Sequence, residues 1–195
     1  MEARNNKPDR RIQRSRRQLK QAFMELMREK GFSAITIQDI TDRADVNRGT
    51  FYTHFPDKYA LLETMIREKF QRLLETSLPS NADWDQTHLR ILIQTVLEHF
   101  KEMNNRCYPI DTVNPLFERT VQEELYSLLL HWLKQSPADP ANRPFPTETL
   151  ALMTSWAIFG AAADWSKGTS RYTPEEMTEQ VMSVLTEGMN RQFRG

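Results

Sequence analysis

The sequence predicts an all-α protein. Apolar residues recur at helical spacing along most of its 195 residues, and no segment sustains the period-two alternation of a strand. The ten prolines lie mostly between these periodic segments, and there are only six glycines. The length suits one or two compact domains. The single cysteine excludes an intramolecular disulfide and fits a reducing compartment.

The first two helices have clear predicted ends. An apolar stripe over residues 10–30 predicts a helix that Gly31 ends. Thr36 and Asp39 have the spacing of a capping box, with aspartate in place of glutamate, and predict a short second helix through Ala44.

A third and a fourth helix follow after a brief turn. Asn47 is a favourable N-cap for a helix over residues 48–55, which Pro56 ends. Asp57 can cap the longer fourth helix. The later periodic segments predict helices over residues 84–103, 115–135, 147–167 and 173–193, the last beginning with a capping box at Thr173 and Glu176.

The second and third helices have the spacing of a helix-turn-helix, whose second helix lies in the DNA major groove. Phe51 and Phe55 share one face of the third helix and are expected to pack on the first two. The opposite face carries small or hydrogen-bonding side chains, which suit close approach to bases and phosphates. Gly49 belongs to that face, where a side chain would hold the helix away from DNA.

Basic residues are concentrated near the N-terminus. Residues 1–75 contain 16 Lys/Arg and 11 Asp/Glu, whereas the remainder contains 10 and 15. The first twenty residues carry a net charge of +6 and include Arg14 and Arg17. Such an arm can follow DNA phosphates or enter a minor groove; the alternative is a solvated tail.

The run Gly-Thr-Phe-Tyr-x-His-Phe-Pro-x-Lys over residues 49–58, with the preceding helix from Thr36, resembles the N-terminal domain of the TetR family of bacterial transcriptional repressors. The resemblance covers about residues 12–65. It implies a DNA-binding domain over residues 1–57 and a helical effector-binding and dimerisation domain over 58–195. The residues that it assigns to bases are Arg48, Gly49, Thr50 and Thr53, and those that it assigns to phosphates are Thr36, Tyr52, His54 and Lys58.

Two positions depart from the family pattern. Asp45 stands where the family usually has glycine, and Thr41 where it often has alanine. Aspartate tolerates the left-handed conformation, so we expect the turn to form. Asn47 can act as a helix cap or as a base contact, and both readings stay open. Lys58 near a helix N-terminus opposes the macrodipole, which favours a phosphate partner.

The resemblance also implies a homodimer on a near-palindromic double-stranded operator, released by a small-molecule effector of unknown identity. The last two long helices are apolar over a wider arc than a surface helix needs, and the run 160–163 permits close helix approach. These features favour a dimer interface; a thick monomer core is the alternative. The aromatic residues offered as a ligand pocket are Phe100, Tyr108, Tyr126, Trp132, Trp156 and Phe159.

Other function classes have less support. The four histidines include no metal-binding pair, and neither a nucleophile elbow nor a phosphate-binding glycine loop occurs, so we expect no metal, no cofactor and no enzymatic activity. A DNA-binding nucleoid or division-coupled protein of the same fold, without an effector, is the main alternative. The polar N-terminus and the 14-residue apolar window 150–163 predict neither a signal peptide nor a membrane span, and hence a cytoplasmic protein.

Overall fold

The computed structural model describes residues 10–105, 114–136, 145–168 and 171–187. Tyr108, the arm before residue 10 and the predicted end of the last helix at 188–193 lie outside these ranges. The described residues form eight helices and no strand, which confirms the all-α class. The helices are α1 (Arg10–Ala34), α2 (Ile37–Ala44), α3 (Arg48–His54), α4 (Lys58–Ser77), α5 (Gln86–Asn105), α6 (Asn114–Gln135), α7 (Thr147–Trp165) and α8 (Pro174–Glu187).

The helix signals predicted at Gly31 and Thr36 are confirmed. At Gly31 the backbone leaves the helical region, with φ 71° and ψ 163°, a conformation that favours glycine, so α1 kinks there before its last residues, 32–34. The Thr36 hydroxyl accepts from the Asp39 amide at 3.1 Å, and the Asp39 carboxylate accepts from the Thr36 amide at 2.7 Å. This is the predicted capping box. Hydrogen bonds from Lys30 and from Thr36 hold the pKa of Asp39 well below its usual range.

Asp45 ends α2 in the left-handed conformation, with φ 51° and ψ 50°. Its amide donates to the Asp42 carbonyl at 3.2 Å, and the Val46 amide donates to the Thr41 carbonyl at 3.0 Å. The turn therefore forms with aspartate in the position where glycine was expected. The Thr41 side chain is buried, and its hydroxyl donates back to the Ile37 carbonyl at 3.1 Å.

The chain divides into two compact units between Met65 and Ile66, inside α4. The domain boundary expected at residue 57 lies just before this helix begins. The first turns of α4 pack with the N-terminal helices, since Leu61 is completely buried and Tyr59 makes an edge contact with Phe32 at 5.0 Å. The completely buried large side chains of this first unit are Leu19, Phe23, Ile35, Ile40, Phe51 and Leu61.

The second unit consists of the rest of α4 with α5, α6 from Phe117 onward, α7 and α8, while the first residues of α6 belong to the first unit. Its apolar core is built mainly from α5, α6 and α7, with completely buried side chains at Leu92, Ile93, Leu97, Leu125 and Ala162. An ion-pair group joins α4 to α6: Arg67 donates to Glu124 and, at 2.9 Å, to Glu123. Within the described parts of the chain, no helix is both long and apolar enough to cross a membrane.

Candidate nucleic-acid interface

The third helix is fixed through one aromatic face. Phe51 is completely buried and Phe55 is 2% exposed, with their rings 5.9 Å apart, and α3 packs on both α1 and α2. The opposite face therefore points to solvent, as the helical wheel predicts. Arg48, Gly49, Tyr52 and Thr53 are exposed there, and Thr50 is half-buried. A row of small and hydrogen-bonding groups on an exposed helix suits entry into a major groove.

Asn47 caps this helix. Its Oδ1 accepts from the Gly49 amide at 2.6 Å, which supports the capping reading and leaves base contact as a separate prediction. A Cβ added at Gly49 would lie 3.1 Å from the same Oδ1. Glycine at this position therefore leaves room for the Asn47 cap, a reason for glycine that the sequence did not reveal. It also leaves room for the close approach of DNA.

Arg48 and Tyr52 lie one helical turn apart and interact. Arg48 Nη2 donates to the Tyr52 hydroxyl at 3.2 Å, and the guanidinium lies 5.7 Å from the centre of the tyrosine ring. Both side chains are exposed, and Tyr52 has 47% of its surface accessible. The Tyr52 hydroxyl thus has a polar partner on its own helix, whereas the sequence predicts a DNA phosphate as its partner.

His54, at the end of α3, bonds to α1. Its Nε2 lies 2.8 Å from Ser15 Oγ, across 39 residues of sequence. Burial, and then the nearby charge of Arg16, lower the pKa of His54. The imidazole is consequently neutral at pH 7, so a phosphate contact from this residue would be an uncharged one.

Lys58 is held by the end of α1 and by Ile35, which directly follows it. Its Nζ donates to the carbonyls of Phe32 at 3.1 Å, Ser33 at 3.3 Å and Ile35 at 2.7 Å, and lies 4.7 Å from the centre of the Phe32 ring. Burial lowers its pKa. An ammonium group has three N–H donors, and here each has a carbonyl acceptor. The phosphate role predicted for Lys58 stays a prediction. The unfavourable interaction of its charge with the N-terminal end of the α4 dipole is offset by these three carbonyls, within the protein.

The remaining predicted contacts lie on α1 and α2. Arg14 and Arg17 are exposed on α1. The Thr36 hydroxyl is used in the capping box, where it also lies 2.6 Å from Asp39 Oδ2. A phosphate at Thr36 would therefore have to share that hydroxyl.

The ligand pocket offered by the sequence stays a prediction. Phe100, Trp132 and Phe159 belong to one buried apolar cluster with Tyr126 packed against it, and the Trp156 ring lies 5.8 Å from that of Phe159. Phe100 and Phe159 are buried with their rings 5.4 Å apart, and Trp132 is buried beside His88, 6.3 Å away. Tyr126 is half-buried, whereas Trp156 is 54% exposed.

Sequence reasoning missed a buried polar pair of the second unit. Gln122 of α6 donates to Ser155 Oγ of α7 at 2.9 Å in the interior. The apolar pattern of these helices gave no signal for such a pair, because it identifies a buried face and not the polar exceptions on it.

One acidic group near α5 also escaped the sequence analysis. Asp83, Asp85 and His88 place their ligand atoms within 4.8 Å of one another, a spacing that could hold a cation. Hydrogen bonds explain the arrangement without one: Asp85 Oδ1 accepts from the His88 amide at 2.9 Å, as an N-cap does, and Asp85 Oδ2 lies 2.6 Å from His88 Nδ1. Backbone hydrogen bonding from His88 is the main cause of the lowered pKa of Asp85.

Comparison with known proteins adds to this geometry. Residues 21–65 match the family described as "Bacterial regulatory proteins, tetR family". An uncharacterised HTH-type transcriptional regulator of Bacillus subtilis, YxbF, is 40% identical over 68 residues, which are 34% of this chain and 18% of YxbF. The chain spans only 18%, 28% and 45% of the first three curated relatives that it resembles.

Two longer matches cover both units. The HTH-type transcriptional repressor Rv3405c of Mycobacterium tuberculosis is 25% identical over 170 residues, 85% of this chain and 84% of that protein. The crystal structure of Thermus thermophilus FadR, a repressor in complex with lauroyl-CoA, is 25% identical with a TM-score of 0.53, covering 89% of this chain and 94% of that one. The likeness therefore continues beyond the helix-turn-helix.

The Lys58 contacts can be tested without DNA. Lys58→Met keeps the aliphatic stem and removes the ammonium, so three carbonyls at the end of α1 lose their donor. We expect the free energy of unfolding to fall by about 1–2 kcal/mol, as measured by urea denaturation. Arg17→Met, on the exposed side of α1, is the control and should have no comparable effect. An equal stability of Lys58→Met and the parent would mean that the carbonyl contacts contribute nothing.

Proposed function

Since this chain belongs, through its N-terminal domain, to the tetR family of bacterial regulatory proteins, we propose that it is a transcriptional repressor that binds a near-palindromic DNA operator as a homodimer. The observation that carries the proposal is the exposed face of α3. Its aromatic side is buried, and its outer side offers Arg48, Gly49, Tyr52 and Thr53. Selection of bound duplexes from random DNA with the full chain tests it.

Side chains on two helices divide the work of DNA binding. Arg48 is long enough to reach a guanine edge, and Thr50 and Thr53 lie on the same groove-facing side of α3. Arg14 and Arg17 are exposed on α1 and supply positive charge for phosphates on the flanking backbone. Base contacts then set the sequence preference, whereas phosphate contacts supply affinity and register.

The homodimer is proposed to form through α7, with a contribution from α8. Leu152, Met153 and Trp156 of α7 are 46%, 61% and 54% exposed, and Val184 of α8 is 45% exposed. Gly160 continues the same exposed side of α7, at the i+4 spacing from Trp156. Large apolar side chains that share one exposed helix face favour burial against a second copy.

A small-molecule effector of the long-chain acyl class is proposed to bind inside the second unit and weaken operator binding. The core there is apolar but contains buried polar groups at His99, Gln122 and Ser155, which can recognise a polar head group. Thermus thermophilus FadR, with lauroyl-CoA bound, supplies the chemical class to test first. Release requires the effector to bind the DNA-incompetent conformation more tightly than the DNA-bound one.

Replacing the proposed guanine-reading side chain tests sequence recognition. Arg48→Ala should weaken binding to the selected duplex by about 10- to 100-fold and relax the preference at one base pair in each half-site. Fluorescence anisotropy and a repeated duplex selection measure the two effects. The control, Arg72→Ala, removes an exposed arginine of α4 and should retain the parental affinity and preference. If Arg48→Ala retains the parental preference, Arg48 does not read a base.

Glutamate substitutions on α7 distinguish the dimer interface from the protomer core. No heavy atom lies within 4 Å of a Cβ built at Gly160, so Gly160→Glu should fold normally but raise the dimer dissociation constant at least about 100-fold. Ala162, in the same run, is completely buried inside the protomer, so Ala162→Glu should lose the fold itself.

Sedimentation velocity and thermal denaturation report on these variants. The control is Gln86→Glu, at the exposed start of α5, which should stay a dimer. A folded Gly160→Glu variant with the parental dissociation constant would place the interface elsewhere.

The effector proposal is tested with lauroyl-CoA as the probe. Saturating lauroyl-CoA should lower the affinity of the full chain for its selected duplex by at least about tenfold, with coenzyme A alone as the control. Anisotropy titrations measure the change. An unaltered duplex affinity would exclude a long-chain acyl-CoA effector and leave the DNA-binding proposal intact.

A further inference from the structure

The hydrogen bond between Ser15 and His54 joins the first helix to the end of the third. The two atoms are 2.8 Å apart in a partly buried position. Ser15 Oγ also lies 3.1 Å from the Arg11 carbonyl and 3.0 Å from the Ile12 carbonyl of its own helix. A serine hydroxyl has one proton, and these carbonyls accept it. The consistent arrangement then has His54 Nε2–H donating to Ser15 Oγ.

A second contact strengthens the same junction. The Arg16 guanidinium lies 5.5 Å from the centre of the Phe55 ring, and Phe55 is the residue that caps α3. Consecutive residues of α1 thus touch consecutive residues at the end of α3. Phe51 and Phe55 hold the inner face of α3 in the core, but apolar packing leaves a helix some freedom to rotate about its axis. A directional hydrogen bond at its last residue restricts that rotation.

We infer that Ser15 and His54 are positioning residues, which fix the recognition helix relative to the basic side of α1 so that both can contact DNA in one register. This inference rests on the proposed DNA-binding function. Arg14 adjoins Ser15 on α1, and Arg48, Thr50 and Thr53 share α3 with His54. A bond between the two helices therefore sets the spacing between phosphate-contacting and base-contacting side chains.

The chemistry of His54 agrees with a positioning role. Its pKa is lowered by burial and by Arg16, so it contributes no positive charge to a phosphate at neutral pH. In the arrangement above, Nε2–H is used within the protein and Nδ1 has no proton to donate. Base readout is sensitive to displacements of about 0.5 Å, so a bond of ordinary strength can influence recognition through geometry alone.

Two pairs of variants of the full chain test the inference. Ser15→Ala and His54→Phe each remove the bond, and each should weaken binding to the selected duplex about three- to tenfold. The double variant should be no weaker than either single one, since the second change removes nothing further. Ser15→Thr, which keeps the hydroxyl, and His54→Gln, which keeps an N–H donor, should restore most of the affinity. Gln13→Ala, exposed on α1, is the control.

Affinity for an unrelated duplex separates positioning from phosphate contact. Each variant should keep the parental affinity for such a duplex and the parental slope of log K against log salt, because no phosphate contact is lost. A weaker affinity for the unrelated duplex, additive losses in the double variant, or full affinity in Ser15→Ala would each overturn the inference. A parent chain that selects no duplex would instead remove the proposed function, and the inference with it.

Discussion

The burial of Phe51 and Phe55 beneath α1 and α2 is the constraint on which the proposed interface depends. Phe51 lies on the inner side of a seven-residue helix and Phe55 is its C-cap residue, and their exposed fractions are 0% and 2%. A helix this short is not stable by itself, so tertiary packing decides whether it forms and how it is oriented. Once these rings are buried, helical geometry determines which side chains of α3 face outward.

Local contacts fix the segments on both sides of α3. Asn47 satisfies an amide at its start, and the left-handed Asp45 lets the chain leave α2 in a tight turn. Lys58 then joins the start of α4 to the end of α1 through three carbonyls.

Features encoded over a few residues could be predicted from the sequence. The capping box at Thr36 and Asp39, the helix end at Gly31 and the two faces of α3 each depend on neighbours within one or two turns. Their confirmation follows from that locality. Other contacts join residues that are far apart in sequence. The bond between Ser15 and His54 spans 39 positions, and the contacts of Lys58 span 23 to 26 positions, so no local pattern encodes them. The run 160–163 was expected in a dimer interface, whereas Ala162 is completely buried inside the protomer; α7 is apolar on every side, so periodicity could not identify its inner face.

The central claim is that α3 enters the major groove, and methylation interference on the selected duplex tests it most directly. Methyl groups at guanine N7 occupy the major groove, whereas those at adenine N3 occupy the minor groove. Interference is expected at guanine N7 in two half-sites whose centres are about one helical turn or a multiple of it apart. Arg48→Ala should abolish interference at one guanine in each half-site. Interference confined to adenine N3, with no effect at any guanine N7, would contradict it.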